Sequence, residues 1–509
     1  MSAELVRFSI EGSVNAPGTT TPGWSGTWVA DRLGLSLGTT YSVFGTNLTE
    51  LIGLAVRRNP RRAHLLVSTI LGKHVPTDPR LVYGSGALLG LLAADALRGA
   101  NPHSCLDRNV RLGEDLRGAL AGDGDAAKAL LTDLAAVDAS TTVAPPGTVV
   151  LGFAETATAL GHAVADVLFA PYLHSTRRRV PGVMAVGTFE EEHSHATSHL
   201  LLPADPRFFT GGGPLVLVDD ELSTGRTARN TILALHAVVP RARYVIAALV
   251  DLRSQEERQR MATVAADLGV DIDVVALAAG TIDLPSDVLA VGQSLVAARE
   301  IADGINRGAA NGETATKIAT ISPGRGPAAI TWSTGFREGA RHGFPPADRH
   351  ILVSAMAAAS SHLAVRITGG EVLVLGHEEL MYAPLCLALA LVDHVSPAVR
   401  VRFSTTTRSP ILAVDELGYA VRTKLTFPAH DDPTDGPGER FAYNVAAGID
   451  PSRRFSDIVL VIDAPADTPA LRHPAGLLSV LGDACDRVHL VVVPALLPTS
   501  LEPPVGAHQ

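Results

Sequence analysis

Asp219 and Asp220 stand side by side at the end of an apolar run, residues 215–218, and Ser223, Thr224, Gly225, Arg226 and Thr227 follow at once. Each residue type has a use. An apolar run of four reads as a buried strand, and in open α/β sheets ligands bind outside the carboxyl ends of such strands. A tight loop opening a helix presents free N–H groups and the positive end of the helix to an anion. Ser223, Thr224 and Thr227 add hydroxyl donors, and Gly225 lets the backbone come close at positive φ. The acids can accept hydrogen bonds from a sugar diol, and alternation along a strand gives most of that role to one of them. The expected ligand is a phosphorylated sugar. Neither GxxxxGK[ST] nor GxGxxG occurs in this turn, which excludes the two common nucleotide loops there.

A second anion cradle precedes this motif. Gly152 ends another apolar run, and residues 153–158 (FAETAT) open a helix. Thr156 and the free N–H groups suit an anion, whereas Glu155 suits a metal reached through water, or a helix cap. Arg177 with its neighbours Arg178 and Arg179 can neutralise a departing anion. Glu191, Glu192, His193, His195 and His199 form a dense polar cluster. His193 and His195 share one strand face and read as a general acid and base, with a metal site or a plain surface hairpin as alternatives. Only four lysines occur in the chain. One of them, Lys73, follows Gly72 at a polar tip before a proline turn, where it can touch phosphate or base.

The elements that must position these groups are short Val/Ile/Leu runs ending in Gly or an acid and leading into Ala/Leu-rich stretches: residues 148–152, 215–220, 244–251, 272–280, 372–376 and 458–463. Strands apolar at nearly every position, alternating with helices, predict parallel sheets flanked by helices, an α/β fold. The order strand–Gly–acid–helix, Thr-Arg loop, strand–Asp occurs twice, at residues 149–220 and 372–463. The second α/β unit therefore reads as a degenerate repeat that lacks the glycine loop after Asp463. There Glu378, Glu379, Arg408 and Ser409 suggest a second anion or nucleotide site; the alternative is a structural loop tied by Arg408 to a carboxylate. The expected division is a first domain over 1–305 (core about 30–290), a Gly/Ala/Thr/Pro-rich linker over 306–328, and a second domain over 329–509.

The 509 residues suit more than one domain. A formal net charge of −10 argues against a nucleic-acid partner held by overall charge. Three distant cysteines form no CxxC pair and fit a reducing cytoplasm. The N-terminus has no signal-peptide pattern, and the apolar stretch 372–392, interrupted by His377, Glu378 and Glu379, predicts strand–turn–helix and no membrane span.

Residues 215–227 resemble the binding signature of type I phosphoribosyltransferases for 5-phosphoribosyl-1-pyrophosphate (PRPP). Over nearly the full chain, RNPRRAHLLVS, LGKHVP, GFAETAT, FEEEHSHATSH, LVDDELSTGRT, GHEELMYAPL, TTTRSP and FAYNV are similar to a bacterial family joining a divergent phosphoribosyltransferase to a C-terminal Thr-Arg-Ser-Pro (TRSP) domain. That family is associated with tellurium-resistance and stress gene clusters. The resemblance implies a type I phosphoribosyltransferase-like sheet, PRPP as co-substrate, and Mg2+ near Asp219 and Asp220, directly or through water or PRPP. It also implies a mobile hood over residues 174–199 and displacement of pyrophosphate by an unassigned base. The expected partners are these small molecules, with a homodimer left open. A PRPP-sensing module, the reverse reaction and a scaffold in a stress complex are the alternatives.

Overall fold

The structure is a computed structural model. It describes residues 27–57, 62–100, 105–180, 183, 185–189, 199–306, 317–321, 332, 335–367, 369–431 and 438–496. The first half contributes β1 (Ser36–Ser42), the hairpin β2 (Ile52–Val56) and β3 (His64–Ser68), β4 (Val149–Gly152) and β5 (Tyr172–His174). It continues with the hairpin β6 (Gly187–Phe189) and β7 (His199–Leu201), then β8 (Leu215–Leu222), β9 (Arg243–Asp251) and β10 (Asp271–Asp283). Six of these form one sheet in the order β1-β10-β9-β8-β4-β5. All neighbours are parallel except β1, which caps the edge antiparallel to β10.

The second half holds β11 (Lys317–Ile321), β12 (Glu371–Gly376), β13 (Arg400–Thr405), the hairpin β14 (Lys424–Pro428) and β15 (Glu439–Tyr443), β16 (Phe455–Asp463) and β17 (Cys485–Val493). Its sheet runs β11-β17-β16-β12-β13, all parallel. Parallel neighbours need a crossover, and the Ala/Leu-rich segments between the strands supply it as helices.

The expected repeat is present in the strand order. Four neighbours, β5-β4-β8-β9, correspond to β13-β12-β16-β17. The halves differ at the next position. β10 follows β9 in the chain, whereas β11 precedes every other strand of its sheet. β11 also corrects the expected linker: residues 317–321 lie inside 306–328, yet they form an edge strand in register with residues 487–491.

Strand parity explains the packing. In the run Leu215–Leu222, Val216 and Val218 face a core shared by both halves, while Leu215 and Leu217 face an outer core closed by Ala228, Ile232 and Met261. β16 does the same: Val459 and Val461 join the shared core, and Ile458 and Leu460 face outward towards Leu477 and Leu481. A strand apolar on both faces is therefore covered on both. Between the sheets lie the helices Pro79–Arg98 and Thr158–Leu168 from the first half and Arg349–Ala364 and Tyr382–His394 from the second. Among the described residues, Pro79–Arg98 alone is long and apolar enough to cross a membrane; here it is largely buried in this core.

Tyr172 locks β4, β5 and the adjacent helix. Its ring is fully buried, and its hydroxyl donates to the carbonyls of Ala157 (3.1 Å) and Thr158 (3.0 Å). Gly152 and Gly161 make room for it, since a Cβ at either would lie 2.2–2.3 Å from the hydroxyl. Urea unfolding is expected to show a loss of about 1 kcal/mol for Tyr172→Phe and about 3–5 kcal/mol for Tyr172→Ala. Equal losses would mean the buried ring contributes nothing beyond its hydroxyl, and would contradict the lock.

Candidate active site

Beyond Val218, β8 outruns its neighbour. β4 stops at Gly152, opposite Val218, whereas β9 stays paired as far as Leu222. The strand flank past β4 is open, and Asp219, Asp220 and Glu221, all partly exposed, line a cleft of about 210 Å3 there. The strand thus extends four residues past the apolar run. Alternation does not reserve the cleft for a single acid, because an uncovered strand end gives access to both faces. The Asp220 N–H donates to the Asp219 carboxylate (3.0 Å), and Glu221 lies 3.7 Å from Arg62.

Ser223, Thr224, Gly225, Arg226 and Thr227 all line the same cleft. Gly225 sits at φ 68° immediately before the helix Arg226–Val238, and the Arg226 N–H donates to Thr224 Oγ1 (3.3 Å). The first N–H groups of a helix lack partners within it and carry the positive end of its dipole. A side chain at residue 225 would be strained by its φ and would meet Arg253 Cδ at 3.0 Å. Arg253 is itself held by paired bonds to Asp251, both 3.0 Å.

The opposite wall is the turn after β4. Phe153, Ala154, Glu155 and Thr156 line it, with Lys73, His74, Arg57, Arg62, Arg177, His199 and Ser409 around them. The Ala154 N–H donates to Ser175 Oγ (3.0 Å), which in turn meets His199 Nδ1 (2.8 Å). Glu155 is 6% exposed, and its carboxylate is held by Lys73 Nζ (3.4 Å), Arg408 Nε (3.2 Å) and Thr407 Oγ1 (3.3 Å). Glu155 and Lys73, expected to serve a metal and a phosphate respectively, therefore pair with each other at the cleft wall. Burial, then the charges of Lys73 and Arg57, push the His74 imidazole well below its usual range.

The suggested second site takes a different form. Ser409 reaches the cleft, but Glu378, Glu379 and Arg408 are engaged with the protein's own charges. Glu378 is fully buried, accepts from Arg408 Nη2 (2.6 Å) and Arg440, and lies 3.4 Å from Arg178. Glu379 accepts from Thr176 Oγ1 (2.9 and 2.8 Å) and Arg341 Nε (3.2 Å). Arg408 is tied to carboxylates, the structural alternative, because a buried carboxylate without a cation is far costlier than an unused anion pocket. Burial alone would raise Glu378, but His377, Arg178, Arg408 and Arg440 outweigh it and hold it at about 2; Arg341, His174 and Arg178 hold Glu379 lower still.

His193 and His195 lie outside the described residues. Sequence reasoning missed Glu221, Arg57 and Arg62 as lining residues. Glu221 had a signal, as a third consecutive acid at the strand end. The arginines come from the β2–β3 hairpin, and nothing local in the sequence brings that hairpin to β8.

Two stretches of the chain match known family models. Residues 51–281 match the model of a family described as a phosphoribosyl transferase, and residues 338–481 match that of the TRSP domain, C-terminal to that transferase. The first segment contains every cleft residue named above except Ser409, which falls in the second. No curated protein matches the chain. Among solved structures, the chain is similar to adenine phosphoribosyltransferase from Trypanosoma brucei, in complex with AMP, pyrophosphate and ribose-5-phosphate. Identity is 18% over 26% of this chain and 57% of that one, so little more than half of that protein is spanned, at a TM-score of 0.21. The Giardia lamblia enzyme, complexed with 9-deazaadenine, gives 19% identity over 30% and 83%, with TM-score 0.22. The Leishmania donovani enzyme gives 17% over 31% and 67%, with TM-score 0.22.

Two measurements check this geometry. Gly225→Ala is expected to cost about 1–2 kcal/mol in urea unfolding, the penalty of a Cβ in the left-handed region; an unchanged midpoint would contradict the loop conformation. The second concerns acid. A carboxylate whose folded pKa is depressed contributes stability above its unfolded value, about 4.3 for Glu. That contribution is lost as pH falls towards the folded value, about 2 for Glu378. Stability should fall over this window, and Glu378→Gln should flatten the fall; equal slopes in both proteins would contradict the ion cluster.

Proposed function

We propose that this protein is a Mg2+-dependent phosphoribosyltransferase that transfers ribose 5-phosphate from PRPP to a nitrogenous base or similar nucleophile, in the synthesis of a nucleoside-like metabolite. The observation that carries the reading is the pairing, across one cleft, of a hydroxyl-and-glycine loop beneath three carboxylates with a second turn flanked by Lys73, Arg57, Arg62 and Arg177. The donor has the same layout: a 5′-phosphate, a ribose diol and a pyrophosphate. The amides and hydroxyls of residues 223–227 would hold the 5′-phosphate. Asp219 and Asp220 would accept from the ribose hydroxyls. Arg177 and the turn 153–156 would face the pyrophosphate.

Three carboxylates on one partly exposed strand end offer the hard oxygen donors that Mg2+ takes while keeping several waters and substrate oxygens. When bound, Mg2+ would neutralise charge on the pyrophosphate. The remaining work falls to the chain. Its loop fixes the phosphate so that the anomeric carbon is placed for in-line attack. As the bond from that carbon to pyrophosphate breaks, the electron pair leaves with pyrophosphate, and the cationic wall stabilises it. The nucleophile forms the new bond and gives up its proton to solvent or a basic group. The free thiols Cys105, Cys386 and Cys485 support a cytoplasmic setting.

Isothermal titration with PRPP and Mg2+ tests the proposal, followed by a base screen read by pyrophosphate release. The wild type is expected to bind, and Asp219→Asn with Asp220→Asn to weaken binding at least about tenfold, the effect of losing charge-assisted hydrogen bonds. No heat and no thermal shift at saturating PRPP and Mg2+ would sink it. Binding without pyrophosphate release across the screen would favour a PRPP-sensing module.

A further inference from the structure

The two halves share more than a strand order; they exchange contacts reciprocally. The Ser175 N–H donates to the Gly152 carbonyl (2.9 Å), and in the same place of the second half Thr406 donates to Gly376 (3.1 Å). The next residue in each loop crosses to the other half. Thr176 Oγ1 reaches Glu379 (2.8 Å), while Thr407 Oγ1 reaches Glu155 (3.3 Å). Each threonine hydroxyl also accepts an N–H two residues on, from Arg178 (3.0 Å) and Ser409 (3.2 Å). Each carboxylate keeps a cation of its own half, Lys73 for Glu155 (3.4 Å) and Arg341 for Glu379 (3.2 Å). The edge strands are exchanged too. Tyr172 of β5 pairs both ways with Phe344 (3.0 and 2.7 Å), and Phe403 of β13 pairs both ways with Thr77 (2.8 and 3.0 Å).

We infer that the chain is an internal pseudo-dimer with one working cleft, completed by its second half: Arg408 is a positioning residue that neutralises Glu155, and Ser409 is a wall residue facing the bound ligand. The inference rests on the transferase reading for the ligand and on the contacts alone for the pairing. The second cleft is closed by its own chemistry. Where the first half has Asp220 and a Ser-Thr-Gly loop, the second has Asp463, 2% exposed and 3.6 Å from Arg341, followed by the short turn Ala464–Ala466. Where the first has Ala154, the second has Glu378, whose buried carboxylate draws in Arg178, Arg408 and Arg440.

This pairing answers a chemical difficulty at the working cleft. Glu155 stands in the turn that would face pyrophosphate, and an unscreened carboxylate would repel it. Lys73 alone offsets the charge of Glu155, and Arg408, supplied by the other half and shared with Glu378, sets a second cation against it. The second half thereby presets the anion wall without touching the reacting atoms.

The test uses the full chain, titrated with inorganic pyrophosphate plus Mg2+ and with PRPP plus Mg2+. Arg408→Ala should lower both affinities about tenfold, the effect of stranding a buried charge. Adding Glu155→Gln should restore them to within about threefold, and Arg408→Lys should fall between. A purely structural role would leave the double variant as weak as the single one, and that result, or an unchanged Arg408→Ala in a protein that binds, would overturn the assignment. A wild type that binds neither ligand would fail the transferase reading instead. The pairing itself is read without ligand, by hydrogen exchange. Thr407→Val should loosen residues 153–157 of the first half, and Thr176→Val residues 377–380 of the second. Loosening confined to each variant's own half would overturn the pseudo-dimer.

Discussion

One buried carboxylate at the cleft wall ties the molecule together. Glu155 takes Lys73 from its own half and Thr407 and Arg408 from the other. Removing a charge from water costs several kcal/mol unless partners replace the solvent, and withdrawing one partner costs nearly as much again. The halves therefore cannot part without exposing or stranding charge at the cleft. The mirrored set around Glu379 imposes the same condition from the other side. The shared apolar core between the sheets, closed by four helices, makes the same demand through the hydrophobic effect.

The arrangement also explains why duplicated elements diverged. A parallel sheet offers a ligand place at the carboxyl ends of its strands wherever crossovers part. Both sheets have that place, between β4 and β8 and between β12 and β16. In the first it stays open, because β8 ends in partly exposed acids and a glycine-led helix start. In the second it is filled from within, since Asp463 and Glu378 are paired with arginines and the glycine loop is gone.

Much of this was legible in the residues. The runs 148–152, 215–220 and 458–463 are apolar at nearly every position and became central parallel strands, as strands covered on both faces must be. The loop 223–227 lines the cleft because its glycine, hydroxyls and helix start act locally, within a few residues. The repeat was legible as strand–acid–helix order. What escaped was set by long-range packing. Lys73 and Glu155 are 82 positions apart and Arg408 a further 253, so no spacing could reveal that they neutralise one another. Glu378 and Glu379 resembled ligand-binding acids, because sequence shows charge but not the cations folded against it. Residues 317–321 looked like linker because an edge strand needs little apolar content, and their neighbours are rich in Gly and Ala.

A crystal structure of the full chain with PRPP and Mg2+ tests the central claim most directly. The account predicts one ligand per chain: its 5′-phosphate on the amides of residues 223–227, its ribose beside Asp219 and Asp220, its pyrophosphate against residues 153–156, and Ser409 at the wall. A ligand seated at Asp463, or one making no contact with the loop after β8, would contradict it.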